Sequence, residues 1–285
     1  RAAVASALAQ GYPGSLEVIV ADGASTDGTA DVVRSMDEAV RVVENPTGRT
    51  PSGLNTAIAS ATGDVIVRCD AHAELPPGYV ETAVRRLLET GADNVGGIQA
   101  AEGVTPMQRA IAHAMSSRVG VGDATFHYGG EPGPTDTVYL GVFRRAALQR
   151  VGGFDEALDR NQDYELNVRI RGTGGVVWFD PTLRVTYRPR STLRDLARQY
   201  HQYGRWKRRV LAMHPGSLRW RQLVPPAFVV GLAGSAVLLA VRSPWGWVVP
   251  GAYGALVVSA GVGRAVGSRD AAALLMPAAL ATMHV

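Results

Sequence analysis

The chain of 285 residues has almost no cysteine or lysine, and two long stretches near its end carry no charge. Its single cysteine, Cys69, excludes a disulfide within the chain. Lys207 is the only lysine, so arginine supplies nearly all of the positive charge. Only 19% of the residues are charged and 46% are hydrophobic, with the hydrophobic excess after Leu223. This distribution indicates a globular part of about 220 residues followed by an apolar region.

Two common nucleotide-binding motifs are also absent. No Gly-Lys-Ser/Thr sequence occurs, which excludes the phosphate-binding loop that is built around a lysine. The three-glycine fingerprint of dinucleotide-binding domains is missing as well. A nucleotide site in this chain must therefore use other residues.

No signal peptide is visible, although a chain that starts at Arg1 without methionine does not exclude one.

Alternating segments in the first hundred residues predict an α/β fold. Short runs rich in Val and Ile predict buried strands, and the segments between them carry the capping residues of helices. The predicted strands are 16–21, 40–44, 65–69 and 94–99, and the predicted helices are 1–10, 29–36, 51–61 and 78–89. This order predicts a mostly parallel, Rossmann-like sheet with helices on both faces. Because the chain opens on a helix, we expect the usual first strand to precede Arg1.

The segment 64–72, Asp-Val-Ile-Val-Arg-Cys-Asp-Ala-His, places two candidate metal ligands just after a predicted strand. Asp70 follows the apolar run, and His72 lies two residues later. Open α/β sheets bind ligands beyond the carboxyl ends of their strands. A carboxylate and an imidazole at that edge suit a divalent cation. A strand-end aspartate that caps a loop beside an incidental histidine would give the same pattern.

The loop Asp22-Gly-Ala-Ser-Thr-Asp-Gly-Thr29 follows another predicted strand and has the composition of a ligand-binding loop. Asp22 lies where a base or ribose would bind, and Gly23 and Gly28 permit a tight backbone. The same loop is rich in helix-capping residues, which a plain helix start also requires. The two interpretations are compatible, because a capped helix N-terminus favours an anion.

Four segments, in this order, resemble landmarks of the family 2 glycosyltransferases. The loop 22–29 resembles their nucleotide-binding loop, and Asp70-Ala-His72 resembles their Asp-x-Asp metal motif. Asn161-Gln-Asp-Tyr-Glu165 is similar to the segment with their catalytic base, and Gln202-Tyr-Gly-Arg-Trp206 matches a Gln-x-x-Arg-Trp signature of membrane-associated members. The Asp-Ala-His and Asn-Gln-Asp-Tyr-Glu-Leu-Asn sequences are most similar to the succinoglycan-type enzymes of bacterial exopolysaccharide assembly. The chain departs from the pattern at Gln162-Asp163, where the family has Glu-Asp.

The resemblance implies a GT-A-type fold and a nucleotide-sugar site. It implies that Asp22 and Gly23 contact the nucleobase and ribose. It implies that Asp70 binds a divalent metal, Mg2+ or Mn2+, which neutralises the departing diphosphate. His72 would either ligate that metal or hydrogen-bond a phosphate.

Two further residues are candidates for donor binding. Arg49, in the loop Pro46–Gly53, is suited to pair with a phosphate, although a solvated loop arginine is equally consistent. Gly141 lies where the family's backbone approaches the sugar or acceptor, and a simple bend is the alternative.

Asp163 is the candidate catalytic residue. The resemblance makes it the general base that takes the proton of the acceptor hydroxyl as that oxygen attacks the anomeric carbon. Direct attack of this kind inverts the anomeric centre. Asp163 begins a predicted helix, 163–171, whose dipole favours the ionised carboxylate, and an acidic residue there is also common for stability alone. Glu165 points elsewhere on the helix and is the weaker candidate.

The end of the chain predicts a membrane region. Residues 184–221 are strongly basic, and the uncharged stretches 223–241 and 245–262 that follow are each about long enough to cross a bilayer. This position favours a membrane over nucleic acid as the partner of the basic segment. A third span is expected from 271. A buried hairpin of helices is the alternative for 223–262, because of Pro225, Pro226 and Pro250.

The heavier basic flank lies N-terminal to the first span, so the positive-inside rule places the catalytic domain in the cytoplasm. Residues 192–209 predict an amphipathic helix on the anionic membrane surface. We therefore expect a GT-A-type catalytic domain at 1–190, a membrane-interface segment at 191–222 and a transmembrane region at 223–285.

The expected function is a multi-pass inner-membrane enzyme for exopolysaccharide or cell-envelope glycan synthesis. It would move a hexose from a nucleotide sugar of the UDP-glucose type to a lipid-linked saccharide. Gln202, Arg205 and Trp206 would border the acceptor, or would only pack at the membrane surface. A processive polysaccharide synthase and a non-catalytic nucleotide-sugar-binding scaffold remain alternatives. A nucleotidyltransferase shares the sheet and the metal but not the Gln-x-x-Arg-Trp helix.

Overall fold

The computed structural model describes every residue from Arg1 to Val285. The chain divides into two compact units. The first unit comprises Arg1–Gln99, Gly129–Thr186 and Trp206–Val210, and the second comprises Ala100–Tyr128, Tyr187–Arg205 and Leu211–Val285.

Twelve helices and seven strands make up the chain, and most predicted elements are present within a few residues. In chain order they are α1 (Ala2–Leu8), β1 (Val18–Asp22), α2 (Thr29–Arg34), β2 (Val40–Glu44), α3 (Thr50–Ser60), β3 (Val65–Val67), α4 (Tyr79–Thr90), β4 (Asn94–Ala101), α5 (Pro106–Met115), α6 (Arg118–Val121), β5 (Gly133–Pro134), β6 (Tyr139–Arg144), α7 (Arg145–Val151), α8 (Gln162–Gly172), β7 (Val177–Tyr187), α9 (Leu193–Met213), α10 (Val224–Ala240), α11 (Val248–Ser268) and α12 (Met276–His284). Short 3-10 turns join several of them.

Strands β1 and β2 form a parallel pair that ends at the predicted nucleotide loop. The register runs from Val18 opposite Val40 to Asp22 opposite Glu44. Helix α2 connects the two strands, as a parallel pair requires. Val33 of α2 is buried with Val4 of α1 and Val40 of β2. This packing fixes the carboxyl end of β1, where Asp22 lies.

The sheet is mixed, whereas the sequence predicts a mostly parallel one. Five strands lie in the order β3-β6-β4-β7-β5, and β6 is antiparallel to both β3 and β4. Strands β3 and β4 therefore run in the same direction, as their connection through α4 predicts, but β6 separates them. Strand β5 is antiparallel to β7. The periodicity of the first hundred residues contains no information about β6, because that strand comes from a later segment.

The core of the first unit lies between α4 and the five-stranded sheet. Helix α4 buries one face, which includes Tyr79, Ala83 and Leu87. These side chains pack in one cluster with Val142 of β6 and Leu183 of β7. The contact holds β3 and β6 in place, and both strands lead into the site described below.

The second unit has a helical core of its own. Ile111 and Met115 of α5, Leu196 of α9, and Met276 and Leu280 of α12 are buried in one cluster. The acidic side chain that precedes α12, Asp270, pairs with Arg109 and His113 of α5. The segment from 271, expected to begin a third membrane span, forms a 3-10 turn and the short helix α12, and its apolar side chains pack within this unit.

Two helical segments are long and apolar enough to cross a membrane, Trp220–Ala240 and Pro244–Ser268. Most of their surface is not covered by the rest of the chain; Val230 and Val266, for example, are 71% and 75% exposed. Such wide apolar exposure is unusual for a soluble protein and marks a surface that contacts lipid or another protein. The exposed helices do not match the buried hairpin that the sequence left as an alternative.

Strands β4 and β7 approach so closely that Gly97 has no room for a side chain. A Cβ atom at Gly97 would lie 1.8 Å from the carbonyl oxygen of Leu183. We expect Gly97→Ala to lower the unfolding free energy by about 2–3 kcal/mol, because overpacking forces the backbone apart. Thermal unfolding of the detergent-solubilised protein measures this loss. Gly133→Ala is the matched control, since a Cβ there meets nothing within 4 Å, and equal midpoints for the two variants would contradict the close packing.

Candidate active site

The guanidinium of Arg68 joins the two most important candidate carboxylates. Arg68 directly follows β3, and its side chain is only 7% exposed. Its Nε donates a hydrogen bond to Oδ1 of Asp70 at 2.7 Å. Its Nη1 donates to Oδ1 of Asp163, which comes from a segment far along the chain. The structure therefore brings the predicted metal ligand and the predicted base to one shared cation.

The charges of Arg68, Asp70 and Asp163 shift the pKa values of the groups in this cluster. Burial alone would lower the pKa of the Arg68 guanidinium, but Asp163 and Asp70 outweigh burial and raise that pKa above its ordinary value. The loss of water around its carboxyl group raises the pKa of Asp163; Arg68 opposes this shift, and Asp70 adds to it. A carboxylate with a raised pKa is a stronger base, which is the property that a general base needs.

Helix α8 presents Asp163 at its first turn, as the sequence predicts. The residue before the helix, Asn161, has a left-handed backbone with φ 60°, which turns the chain sharply into α8. The Asp163 side chain is 43% exposed despite its contact with Arg68. It can therefore meet a substrate as well as the guanidinium.

Glu165, the weaker candidate for the base, is held inside the protein. Its side chain is 1% exposed, and its two oxygens accept hydrogen bonds of 2.7 Å from Nε and Nη2 of Arg169. Arg169 also donates to the carbonyl of Val151, which ties α8 to α7. These contacts indicate a structural role for Glu165.

The predicted nucleotide loop is packed against the loop that follows β2. Oδ2 of Asp22 accepts a hydrogen bond of 3.0 Å from the backbone of Ser25, which closes the turn. A Cβ at Gly23 would lie 3.4 Å from the Cα of Gly48, so the two backbones nearly touch. Asn45 donates its backbone N–H to the Asp22 carbonyl at 2.8 Å. The roles of Asp22 and Gly23 at the nucleoside stay predictions.

Arg49, the candidate phosphate partner, is ion-paired with Asp159. Its Nε and Nη2 lie 2.7 and 2.6 Å from Oδ1 of Asp159. Both side chains are exposed, so this pair contributes little stability. The pair joins the loop after β2 to the loop that precedes Asp163.

Gly141 is required by packing within the protein. A Cβ at this position would lie 2.4 Å from the ring of Phe143 and 2.5 Å from Oδ1 of Asn94. The Gly141 carbonyl accepts a hydrogen bond from the backbone N–H of Arg68 at 3.2 Å. Its expected approach to the sugar stays a prediction, but its place beside Arg68 is clear.

Asp70 and His72 have the donor chemistry for a shared metal site. Asp70 is partly exposed, and His72 lies in the exposed turn that follows it. No three His, Cys, Asp or Glu side chains lie close enough to hold a metal ion by themselves. The residues therefore fit a cation that takes one or two ligands from the protein and the rest from a diphosphate and water.

Of the three candidate acceptor residues, Trp206 lies in the first unit, and Gln202 and Arg205 lie in the second. Trp206 packs against a small cluster that contains Leu158, Tyr164 and Val210. The ammonium of Lys207, the next residue, lies 3.0 Å from the centroid of the Tyr164 ring. These contacts hold residues 206–210 beside the residue that follows Asp163. Binding of an acceptor by Gln202, Arg205 and Trp206 stays a prediction.

Sequence reasoning missed Arg68. The signal is nevertheless present, because an arginine interrupts an apolar strand two residues before Asp70. A charged residue at a buried position nearly always has a charged partner. That rule alone predicts carboxylates around Arg68, although it does not say that Asp163 is one of them.

Comparison with known proteins identifies the family. The family model described as "Glycosyl transferase family 2" matches residues 1–152. The succinoglycan biosynthesis protein ExoA of Rhizobium meliloti (strain 1021) is 33% identical over 279 residues, which cover 96% of this chain and 84% of ExoA. The chain belongs to glycosyltransferase family 2. The family predicted from its motifs is confirmed, and the protein is a glycosyltransferase.

A more distant relative and a solved structure agree with this assignment. A dolichyl N-acetyl-alpha-D-glucosaminyl phosphate 3-beta-D-2,3-diacetamido-2,3-dideoxy-beta-D-glucuronosyltransferase of Methanococcus voltae is 27% identical over 68% of this glycosyltransferase and 64% of the relative. The mannosyltransferase PcManGT from Pyrobaculum calidifontis, solved in complex with GDP-Man and Mn2+, superposes with a TM-score of 0.63. The superposition covers 99% of this chain and 80% of PcManGT at 22% identity. The predicted GT-A-type fold is confirmed.

Proposed function

We propose that this glycosyltransferase is an inverting enzyme, anchored in the inner membrane, that builds an exopolysaccharide or another cell-envelope glycan. It transfers a hexose from a UDP-sugar, of the UDP-glucose type, to a lipid-linked saccharide at the cytoplasmic face. The observation that carries the proposal is the clamp of Asp70 and Asp163 on Arg68. In this proposal Asp70 serves the donor diphosphate and Asp163 serves the acceptor hydroxyl.

The base side of the reaction uses Asp163. Its partly exposed carboxylate takes the proton of the acceptor hydroxyl while that oxygen forms a bond to the anomeric carbon. The bond from the anomeric carbon to the diphosphate breaks in the same step, and the nucleoside diphosphate leaves. The acceptor oxygen attacks in line with the departing diphosphate in a single displacement, so an α-linked donor gives a β-linked product.

The nucleotide-sugar donor is bound by residues at or just after the ends of strands. Asp22 and Gly23 bind the nucleoside, and Asp70, with or without His72, holds a divalent metal, Mg2+ or Mn2+. When bound, the metal neutralises the charge on the departing diphosphate as a Lewis acid. Arg49 reaches a phosphate by exchanging Asp159 for it, since the existing pair is exposed and weak. The Mn2+ in the PcManGT complex supports a metal of this type.

Several features of the chain support attachment to a membrane and a lipid-linked acceptor. The two apolar helical segments leave their surface uncovered, and Trp220, Trp245 and Trp247 at their ends are exposed as in interfacial aromatic belts. Helix α9 adds exposed arginines, which favour an anionic lipid surface. An anchored catalytic domain reaches an acceptor that is carried by a lipid, and Gln202, Arg205 and Trp206 are our candidates to border that acceptor. The name of the relative ExoA supports the exopolysaccharide assignment.

A donor screen tests the proposed function. Membranes that contain the full chain are incubated with UDP-, GDP- and dTDP-sugars in Mg2+ or Mn2+, and release of the nucleoside diphosphate is measured. We expect release from a UDP-hexose, and label from its sugar in the lipid extract. Release from GDP- or dTDP-sugars alone would contradict the UDP donor, and no release from any donor would contradict catalysis.

Removal of the metal carboxylate should abolish metal-dependent donor binding. In Asp70→Ala the diphosphate loses its bridging cation, so calorimetry with Mn2+ should give the weak affinity that the wild type shows in EDTA. His72→Ala is the comparison: retained affinity would mean that the imidazole is no ligand, and a partial loss would mean that it is. Wild-type affinity in Asp70→Ala would contradict the metal assignment.

Asp163→Asn should stop transfer and leave donor binding near the wild-type value. The amide keeps the shape of the carboxylate but cannot take a proton, so we expect the transfer rate to fall by about 10²–10⁴-fold. Glu165→Gln is the control, because that buried residue serves Arg169; it should lower the thermal midpoint and keep transfer within a few-fold. A rate near wild type in Asp163→Asn would assign the base to another residue.

The two spans should form a hairpin with both ends in the cytoplasm. In a Cys69→Ser background, a cysteine replaces Ser243 between the two spans, or Ser268 after the second. A membrane-impermeant maleimide should label the Ser243→Cys variant in intact spheroplasts, and the Ser268→Cys variant only after permeabilisation. The reversed pattern would contradict the cytoplasmic placement of the catalytic domain.

A further inference from the structure

Arg68 is held rigidly on three sides. Asp70 and Asp163 bind its Nε and Nη1, and the ring centroid of Phe154 lies 5.9 Å from its Cζ. Phe154 is itself fixed by an edge contact with the ring of Phe143, with 6.2 Å between the two centroids. The guanidinium therefore has a defined position before any substrate binds.

The backbone of Arg68 is fixed as well. Its N–H donates to the carbonyl of Gly141 in β6, and β6 is paired with β3 in the register Val67 opposite Val142. The strand pairing, the aromatic contact and the two carboxylates therefore determine one orientation of the side chain. A surface arginine with a flexible stem would have no such constraint.

The planar fork of arginine suits this task and an ammonium does not. A guanidinium presents several N–H groups in fixed directions and can hold two carboxylates at a set separation. A lysine keeps the charge but offers a compact point with no preferred plane. Asp163 is 43% exposed, so without the fork its carboxylate would move among several rotamers.

We propose that Arg68 is a positioning residue for catalysis. It holds Asp163 through Oδ1 and so presents Oδ2 to the acceptor hydroxyl. It also links the position of that carboxylate to Asp70 on the donor side. The inference rests on the proposed function, in which Asp163 is the base. Arg68 touches neither the acceptor hydroxyl nor the anomeric carbon in this role and acts through Asp163.

Kinetics of Arg68→Lys separate positioning from a merely structural role. A misplaced base slows the chemical step, so we expect kcat to fall by about 10- to 100-fold. The donor KM should stay within about threefold, because the charge beside Asp70 is kept. In an Asp163→Asn background, Arg68→Lys should cost almost nothing more, since residues that act as a unit are not additive.

Arg144→Lys is the matched control. Arg144 is a partly buried arginine of the same unit, and its Nε and Nη2 donate to the carbonyls of Ala92 and Leu87 rather than to Asp70 or Asp163. It should lower the thermal midpoint without lowering kcat. An equal loss of kcat in both lysine variants, or a full further loss from Arg68→Lys in the Asp163→Asn background, would overturn the inference.

A thermal unfolding cycle tests the contact without any activity. The midpoints of the wild type, Arg68→Lys, Asp163→Asn and the double variant are measured in detergent. We expect the loss in the double variant to be clearly smaller than the sum of the two single losses, because both substitutions break one contact. Additive losses would overturn the inference. If no donor supports transfer by the wild type, the proposed function fails, and this cycle still decides whether Arg68 holds Asp163.

Discussion

The ion pairs of the buried Arg68 are the interaction on which the catalytic unit depends. A guanidinium inside a protein is costly unless charged and hydrogen-bonding partners surround it. Asp70 and Asp163 are those partners, so folding brings together one segment that follows β3 and one that opens α8. The contacts that satisfy the buried charge of Arg68 therefore also set the geometry of the site.

Strand β6, which makes the sheet mixed, supports Arg68. Strand β6 lies between β3 and β4, and its Gly141 carbonyl holds the backbone of Arg68. Phe143 of the same strand crowds Gly141 and supports Phe154, whose ring lies beside the guanidinium. One inserted strand therefore supports Arg68 through its backbone and through an aromatic pair.

The sequence predicts a helix or strand well when the pattern that determines it lies within that element. Strand β2 has the predicted bounds, and α3 begins and ends one residue earlier than predicted, because apolar periodicity and capping residues determine such elements. The motifs also predict that Asp70 follows a strand and that Asp163 lies in the first turn of a helix, as it does in the structure. The family that these motifs predict is confirmed by the family model.

Long-range structure could not be predicted in the same way. The insertion of β6 and the pairing of Arg68 with Asp163 are contacts between distant segments, and no periodicity encodes them. The packing of α12 within the helical unit could not be predicted for a related reason, since an apolar helix has the same composition in a membrane as in a core. Burial of an arginine is the one non-local feature that the sequence could have signalled.

The anomeric configuration of the product tests the central claim most directly, because direct in-line attack by the acceptor oxygen that Asp163 activates inverts the anomeric centre. The wild-type protein in membranes is given the α-linked donor that it accepts, and the new linkage is assigned by NMR from the coupling constant of the anomeric proton. The account predicts a β-linkage. An α-linkage would exclude a single in-line displacement and would contradict the role of Asp163 as a base held by Arg68.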